Sequence, residues 1–146
     1  MKNNDRTWVE IHLDTYRANI EALKCFLSPD QSFMQIVKAD AYGHGALEIA
    51  EQALALGARF LGVANSEEGR LLRLQGITAP ILVLSPSLET EIASLIDYDL
   101  TPTISSWGFA IAMEDHLHHK GKQMPYHLKL DTGMHRSGLS RQEFYK

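Results

Sequence analysis

Along this chain the order of apolar and polar positions switches repeatedly between a period of two and a period near 3.6. These are the signatures of strands and of helices with one buried stripe. Trp8-Val9-Glu10-Ile11-His12-Leu13 alternates and predicts a strand. Asp14 then stands where it caps a helix whose Tyr16, Ile20, Leu23 and Leu27 share one face, and Ser28-Pro29-Asp30 breaks that helix. Residues 33–37 read as a short apolar strand ending at Lys38. After the Gly43-His44-Gly45 turn, Ala46, Ile49, Ala50, Ala53 and Leu54 follow helical spacing, and Gly57 is placed to end the helix. Residues 60–64 form another buried run, and Ser66-Glu67-Glu68 a helix start with acids at the positive end of the dipole. A strand over 81–84, a helix capped by Ser87 and running through Ile96, and a strand over 100–104 follow. A helix over 106–119, a strand over 126–130 and a last helix opening near Ser140 complete the pattern.

Strands separated by helices of about 10–15 residues predict right-handed βαβ units and a parallel α/β sheet. Periodicity leaves two architectures open, a doubly wound sheet and part of an eight-stranded barrel; a closed barrel usually takes ~250 residues, so 146 residues hold only part of one.

Composition narrows the function. Apolar residues at 45% and charged residues at 22% are the balance of a globular chain. The net charge of −4 excludes a non-specific nucleic-acid binder, which needs a basic face. One cysteine, Cys25, allows no internal disulfide; it reads as a packing residue of a chain in a reducing compartment. No apolar leader follows Met1-Lys2-Asn3-Asn4-Asp5-Arg6, and no run approaches the ~20 residues of a spanning helix, so a cytoplasmic location away from membranes is expected.

In both parallel architectures the functional edge is the carboxyl end of the strands. Lys38 stands there, after Gln35-Ile36-Val37. A lone strand-end lysine ordinarily runs its stem along apolar surface and its amine into water. A dehydrated one is instead a usable nucleophile. Tyr42 adds a phenol, Gly43 and Gly45 permit a tight turn, and the helix opening near Gly45 offers free N–H groups to an anion. A second cluster, Lys129-Leu130-Asp131-Thr132-Gly133-Met134-His135-Arg136-Ser137-Gly138, follows a later strand and so reaches the same edge, with Arg136 offering a fork for carboxylate or phosphate. His116, His118 and His119 beside Asp115 lie at a helix end, where cations suit the dipole, and no metal site is read there. No nucleophile elbow, Walker loop, dinucleotide fingerprint or C-x-x-C pair is present.

Taken together, Val37-Lys38-Ala39-Asp40-Ala41-Tyr42-Gly43-His44-Gly45 and the segment from Lys129 to Gly138 resemble two signatures of the alanine racemase family, and Trp8-Val9-Glu10-Ile11, Leu13-Asp14 and Asn19-Ile20 resemble that family's start. The resemblance implies an α/β chain, the N-terminal part of a pyridoxal-phosphate-binding (β/α)8 TIM barrel that is incomplete over residues 1–146. Residues 1–13 would join a C-terminal β-domain. It implies a homodimer that interconverts L- and D-alanine and supplies D-alanine for peptidoglycan. Position by position, Lys38 matches the Schiff-base lysine and one of two catalytic bases, and Tyr42 a phosphate contact. Arg136 matches an arginine near the substrate carboxylate, Met134 a residue whose backbone lies near it, and Lys129 a lysine often carbamylated. The opposite-face base would lie beyond Lys146, which implies an N-terminal fragment, inactive alone. A non-catalytic pyridoxal phosphate homeostasis protein and a racemase for another amino acid such as serine share much of this pattern.

Overall fold

The computed structural model describes residues 7–145; the expectation that residues 1–6 precede no leader falls outside them. Five short strands, β1 (Met34–Ile36), β2 (Phe60–Val63), β3 (Ile81–Val83), β4 (Thr103–Ile104) and β5 (His127–Leu128), are all parallel to their neighbours. Ile36 pairs with Gly62, Gly62 with Leu82, and Thr103 with His127. The β3 and β4 ladders are joined one step earlier, through Leu82 opposite Thr101, where the N–H of Val83 donates to the Thr101 carbonyl at 2.9 Å. The spatial order is therefore the chain order. A doubly wound sheet reverses its order at a switch point; this one does not, and the fold is the N-terminal arc of a TIM barrel.

Helices α3 (Ala46–Ala55), α4 (Ser66–Leu74), α5 (Ile92–Asp97) and α6 (Trp107–Lys120) return the chain between strands, and α1 (Leu13–Lys24) precedes β1. The core lies between this helical layer and the sheet. Leu61, Val63, Ile81 and Val83 are fully buried against Ile49, Ala50, Leu72, Ile92 and Leu95. Side chains alternate along a strand, so the other face is the barrel interior, where Met34, Ile36 and Leu84 crowd over Gly62. No helix among the described residues is long and apolar enough to cross a membrane.

Four expectations are corrected. The strand over 8–13 does not form: residues 7–12 are irregular, and Trp8 and Val9 are 70% and 79% exposed. Alternation gives a segment two faces but not a ladder partner, and no described strand lies beside it. Asp14 is not a cap; α1 opens one residue earlier at Leu13, and Asp14 pairs with Arg17 at 2.9 Å. Ser87 is not a cap either. A one-turn 3-10 helix, Glu89–Glu91, opens α5, Glu91 reaches back to the N–H of Leu88 at 2.8 Å, and the Ser87 hydroxyl is buried without a partner. Cys25, expected as a packing residue, is exposed at the end of α1.

At the amino ends of β3 and β4, one side chain ties two loops together. The Arg73 guanidinium, half-buried in α4, donates to four carbonyls: Ile77 and Ala79 before β3, Tyr98 and Asp99 before β4, at 2.7–2.9 Å. A lysine offers a point of donors rather than a fork and leaves carbonyls unpaired. We expect Arg73→Lys to lower stability by about 2–4 kcal/mol, read from the urea midpoint at unchanged slope; a loss under about 0.5 kcal/mol would show that the fork is dispensable.

Candidate active site

Lys38 opens a segment whose backbone no residue type announces. α2 (Lys38–Gly43) is a single left-handed turn: Ala39, Asp40, Ala41 and Tyr42 have φ of 50–55° and ψ of 39–49°. For residues with a Cβ this costs roughly 1–2 kcal/mol each, about 4–8 kcal/mol for the run. Such a conformation persists only where its surroundings over-determine it. Here the ties are visible. Val37 is locked into the sheet by its N–H bond to Gly62 at 2.8 Å, and Ala41 is buried in the core. The N–H of Gly45 donates to the Asp40 carbonyl at 3.0 Å, and His44 Nδ1 lies 2.9 Å from the Ala41 carbonyl oxygen. From α4, Glu68 accepts the N–H of Ala39 at 3.0 Å.

The expected glycine turn is present, with Gly43 and Gly45 at φ +82° and +88°. The expected anion-facing helix start is altered. Asp40 Oδ1 accepts the N–H of Ala46 at 2.7 Å, so a side chain of the turn takes the first donor of α3. Lys38 is half-buried and its Nζ lies 5.8 Å from the centroid of the exposed Tyr42 ring, within cation–π range. Among the described residues the Lys38 amine is in no ion pair.

The second cluster stands at the carboxyl end of β5. The N–H of Lys129 donates to the Ile104 carbonyl at 2.8 Å, continuing the ladder. Lys129 has the same strand parity as His127, whose ring stands 6.2 Å from that of Phe60. The loop from Asp131 to Gly138 then folds back, and Leu139 lies parallel to Leu130 on the outer edge of β5, donating to the Lys129 carbonyl at 2.9 Å. Met134 and Arg136 are exposed on this loop. The fold thus brings Lys38, Tyr42, Lys129, Met134 and Arg136 to the same edge of the arc. It does not join Lys129 to Arg136 by a hydrogen bond or ion pair.

Asp131 organises the loop. Its Oδ1 accepts the N–H groups of Gly133 and His135 at 2.9 and 3.0 Å, and these bonds hold its carboxyl below the usual carboxylate range. The unfolded chain lacks them and titrates higher. Their stabilisation is therefore fully present above the unfolded value and is lost as pH falls through the lower folded one. On acidification, the amide resonances of Gly133 and His135 should move together below the ~3.9 of an unconstrained Asp, and not at all in Asp131→Asn. Movement centred at or above that value would contradict the assignment.

In the histidine cluster, His116 and His119 bond through Nδ1 to the carbonyls of Ala112 and Asp115, one turn back in α6, at 2.8 and 2.7 Å. Sequence reasoning missed the left-handed turn and Glu68; only Asp40 belongs to a residue type that favours such a backbone.

The geometry has clear relatives. A family model described as the N-terminal domain of alanine racemase matches residues 11–146. The chain is 44% identical over 143 residues to the alanine racemase of Nostoc sp., covering 96% of this chain and 37% of that one. It is 40% identical over 139 residues to that of Carboxydothermus hydrogenoformans, covering 95% and 38%. Among solved structures, an alanine racemase of Clostridium difficile superimposes with a TM-score of 0.91 at 36% identity, over 94% of this chain and 36% of that one. The same protein in complex with cycloserine gives 0.92 at 35%, over 99% and 41%. The chain spans little more than a third of the length of the curated relatives it matches. Matched along residues 11–146 by the family model and at 40% identity or better by both relatives, it belongs to the alanine racemase N-terminal domain family.

Proposed function

We propose that this chain supplies the cofactor-lysine part of a pyridoxal-phosphate-dependent alanine racemase. The observation that carries the reading is Lys38: a half-buried residue whose amine is in no ion pair among the described residues, on an over-determined turn at the functional edge of a barrel arc, with Lys129 and Arg136 at the same edge. The donor set suits an anionic aldehyde: one amine at Lys38 to bond it, a phenol at Tyr42 and a cation at Arg136. When bound, pyridoxal phosphate supplies an electron sink for the carbanion left by removal of an amino acid's α-proton.

The chain's own groups would then divide the work. Lys38 Nζ holds the cofactor and, once released, takes or returns the α-proton on one face. Tyr42 contacts the phosphate. Arg136 and the backbone at Met134 hold the substrate carboxylate, which fixes the bond to be broken, an effect of orientation. Lys129, carbamylated, would turn from a cation into an anion able to hold Arg136 in place. Racemisation requires a second proton donor on the opposite face; we assign it to the part of the relatives' length that this chain does not span, together with a β-domain joined by residues 1–13. The 146-residue span alone is then inactive. The whole protein is read as a cytoplasmic homodimer making D-alanine for peptidoglycan. Cycloserine and L-Ala-P, small molecules bound by two of the solved relatives, support an amino-acid-sized substrate.

The test is an absorbance titration of the purified chain with pyridoxal phosphate, followed by borohydride trapping and peptide mapping. A saturable visible band and a label on the peptide holding Lys38 are expected; an absent band, or a label elsewhere, rejects the reading.

A further inference from the structure

Glu68 has no part in the chemistry described so far, yet among the described residues it is the side chain whose hydrogen bond ties the Lys38 turn to a different βα unit. It lies in the first turn of α4, where its neighbour Glu67 points to the surface and pairs with Arg70 at 2.7 Å. Glu68 does the opposite. One carboxylate oxygen accepts the N–H of Ala39, the residue after Lys38, at 3.0 Å; the other accepts the N–H of Ala64, the residue after β2, at 2.7 Å. The N–H of Glu68 itself donates to Asn65 Oδ1 at 3.0 Å, which fixes where the side chain starts. A single carboxylate thus spans the carboxyl ends of β1 and β2.

The position of those bonds matters. Ala39 is the first residue of the left-handed run, at φ 53° and ψ 49°. The remaining ties, from Asp40 and His44, are made within the turn and its own following helix. They shape the turn without placing it on the barrel. The backbone ties its start to the sheet through Val37, whose N–H donates to Gly62 at 2.8 Å and whose carbonyl accepts the N–H of Ala41 at 2.9 Å; Glu68 adds the side-chain tie to the end of β2. An amide cannot replace the carboxylate, because it presents one acceptor and one donor to two N–H groups.

We propose that Glu68 is a positioning residue, whose carboxylate holds the left-handed turn against β2 and so sets where the Lys38 amine stands at the barrel edge. Its link to cofactor uptake rests on the function proposed above. A cavity of about 280 Å³, lined in part by Val37, Asp40, Val63 and Glu68, borders the clamp, so a small carboxylate added in solution has room to replace a deleted one.

The experiment compares Glu68→Ala, Glu68→Gln and, as control, Glu67→Ala with the unchanged chain. Without cofactor, amide hydrogen exchange is measured at Ala39 and Ala64. Both should exchange about 10- to 100-fold faster in Glu68→Ala, the range for losing a hydrogen bond to an ionised group, and at least one of them in Glu68→Gln. Exchange in β3 and α5 should be unchanged. With pyridoxal phosphate, Glu68→Ala should need about 10-fold or more cofactor for half-saturation, and added formate should recover most of the loss. Glu67→Ala should change neither reading. Unchanged exchange at Ala39, or uniformly faster exchange across all strands with no response to formate, overturns the proposal. If the unchanged chain takes up no cofactor while Ala39 is released in Glu68→Ala, the clamp stands and the cofactor reading falls.

Discussion

Lys38→Ala is expected to abolish the visible band formed with pyridoxal phosphate, a loss of all covalent binding rather than a shift in affinity. Only an amine can condense with the aldehyde, and the substitution removes that amine while leaving the turn in place. The turn is held through backbone groups of Ala39, Ala41, Gly45 and Ala46, none of which belongs to the Lys38 side chain. Stability should change only modestly, by about 1 kcal/mol or less, because what is lost is the packing of the Lys38 stem and its contact with the Tyr42 ring. Lys129 is the internal competitor, since it stands at the same edge of the arc. A band that survives Lys38→Ala and disappears in Lys129→Ala would transfer the role to Lys129; a band that survives both would mean that the reaction is non-specific.

A large effect on folding is expected at Gly138. Its φ is +122°, and a Cβ there would stand 2.7 Å from the Asp131 nitrogen and 2.9 Å from the Leu130 carbonyl carbon. Both obstacles are backbone, so nothing can rotate away. Gly138→Ala must either displace the loop from β5 or give up the parallel bridge between Leu130 and Leu139, whose side chain is fully buried. A loss of about 2–4 kcal/mol is expected, combining backbone strain with overpacking. Gly43→Ala separates the two causes. Gly43 also has a positive φ, +82°, but no atom lies within 4 Å of its would-be Cβ. It should cost about 1 kcal/mol from conformation alone. Urea midpoints of the two variants, with amide exchange at Leu139, decide the matter; equal losses would mean that the close approach at Gly138 has no cost of its own.

The fold was legible in the sequence because most of it obeys local rules. The runs at 60–64 and 81–84 are apolar on both faces and that at 33–37 is apolar but for Gln35, as strands covered by helices and a barrel interior require, and each is trimmed by only a residue or two in the structure. Ser106 and Ser140 cap helices as their positions suggest. What the pattern left open, barrel or doubly wound sheet, depends on which strands become neighbours, and that is settled by the Leu82–Thr101 pairing rather than by any one strand. Where expectation failed at Ser87, a competing group, Glu91, took the role; at Asp14 the helix instead opens at Leu13 with no side-chain cap. Part of the candidate site was legible too. Lys38, Tyr42, Lys129 and Arg136 follow strands, and strand ends share an edge. The left-handed turn was hidden because Ala39, Ala41 and Tyr42 ordinarily avoid that backbone. Only long-range partners such as Glu68, 29 positions away, make it tolerable.

The agreement between spatial order and chain order carries a consequence for how the molecule is made. Each strand of the arc pairs with the strand synthesised just before it, and α4 packs on both strands it connects, β2 and β3. Within the arc each ladder closes over a single βα unit, so the arc can lengthen one unit at a time as the polypeptide emerges from the ribosome, with loop-closure costs kept short at every step.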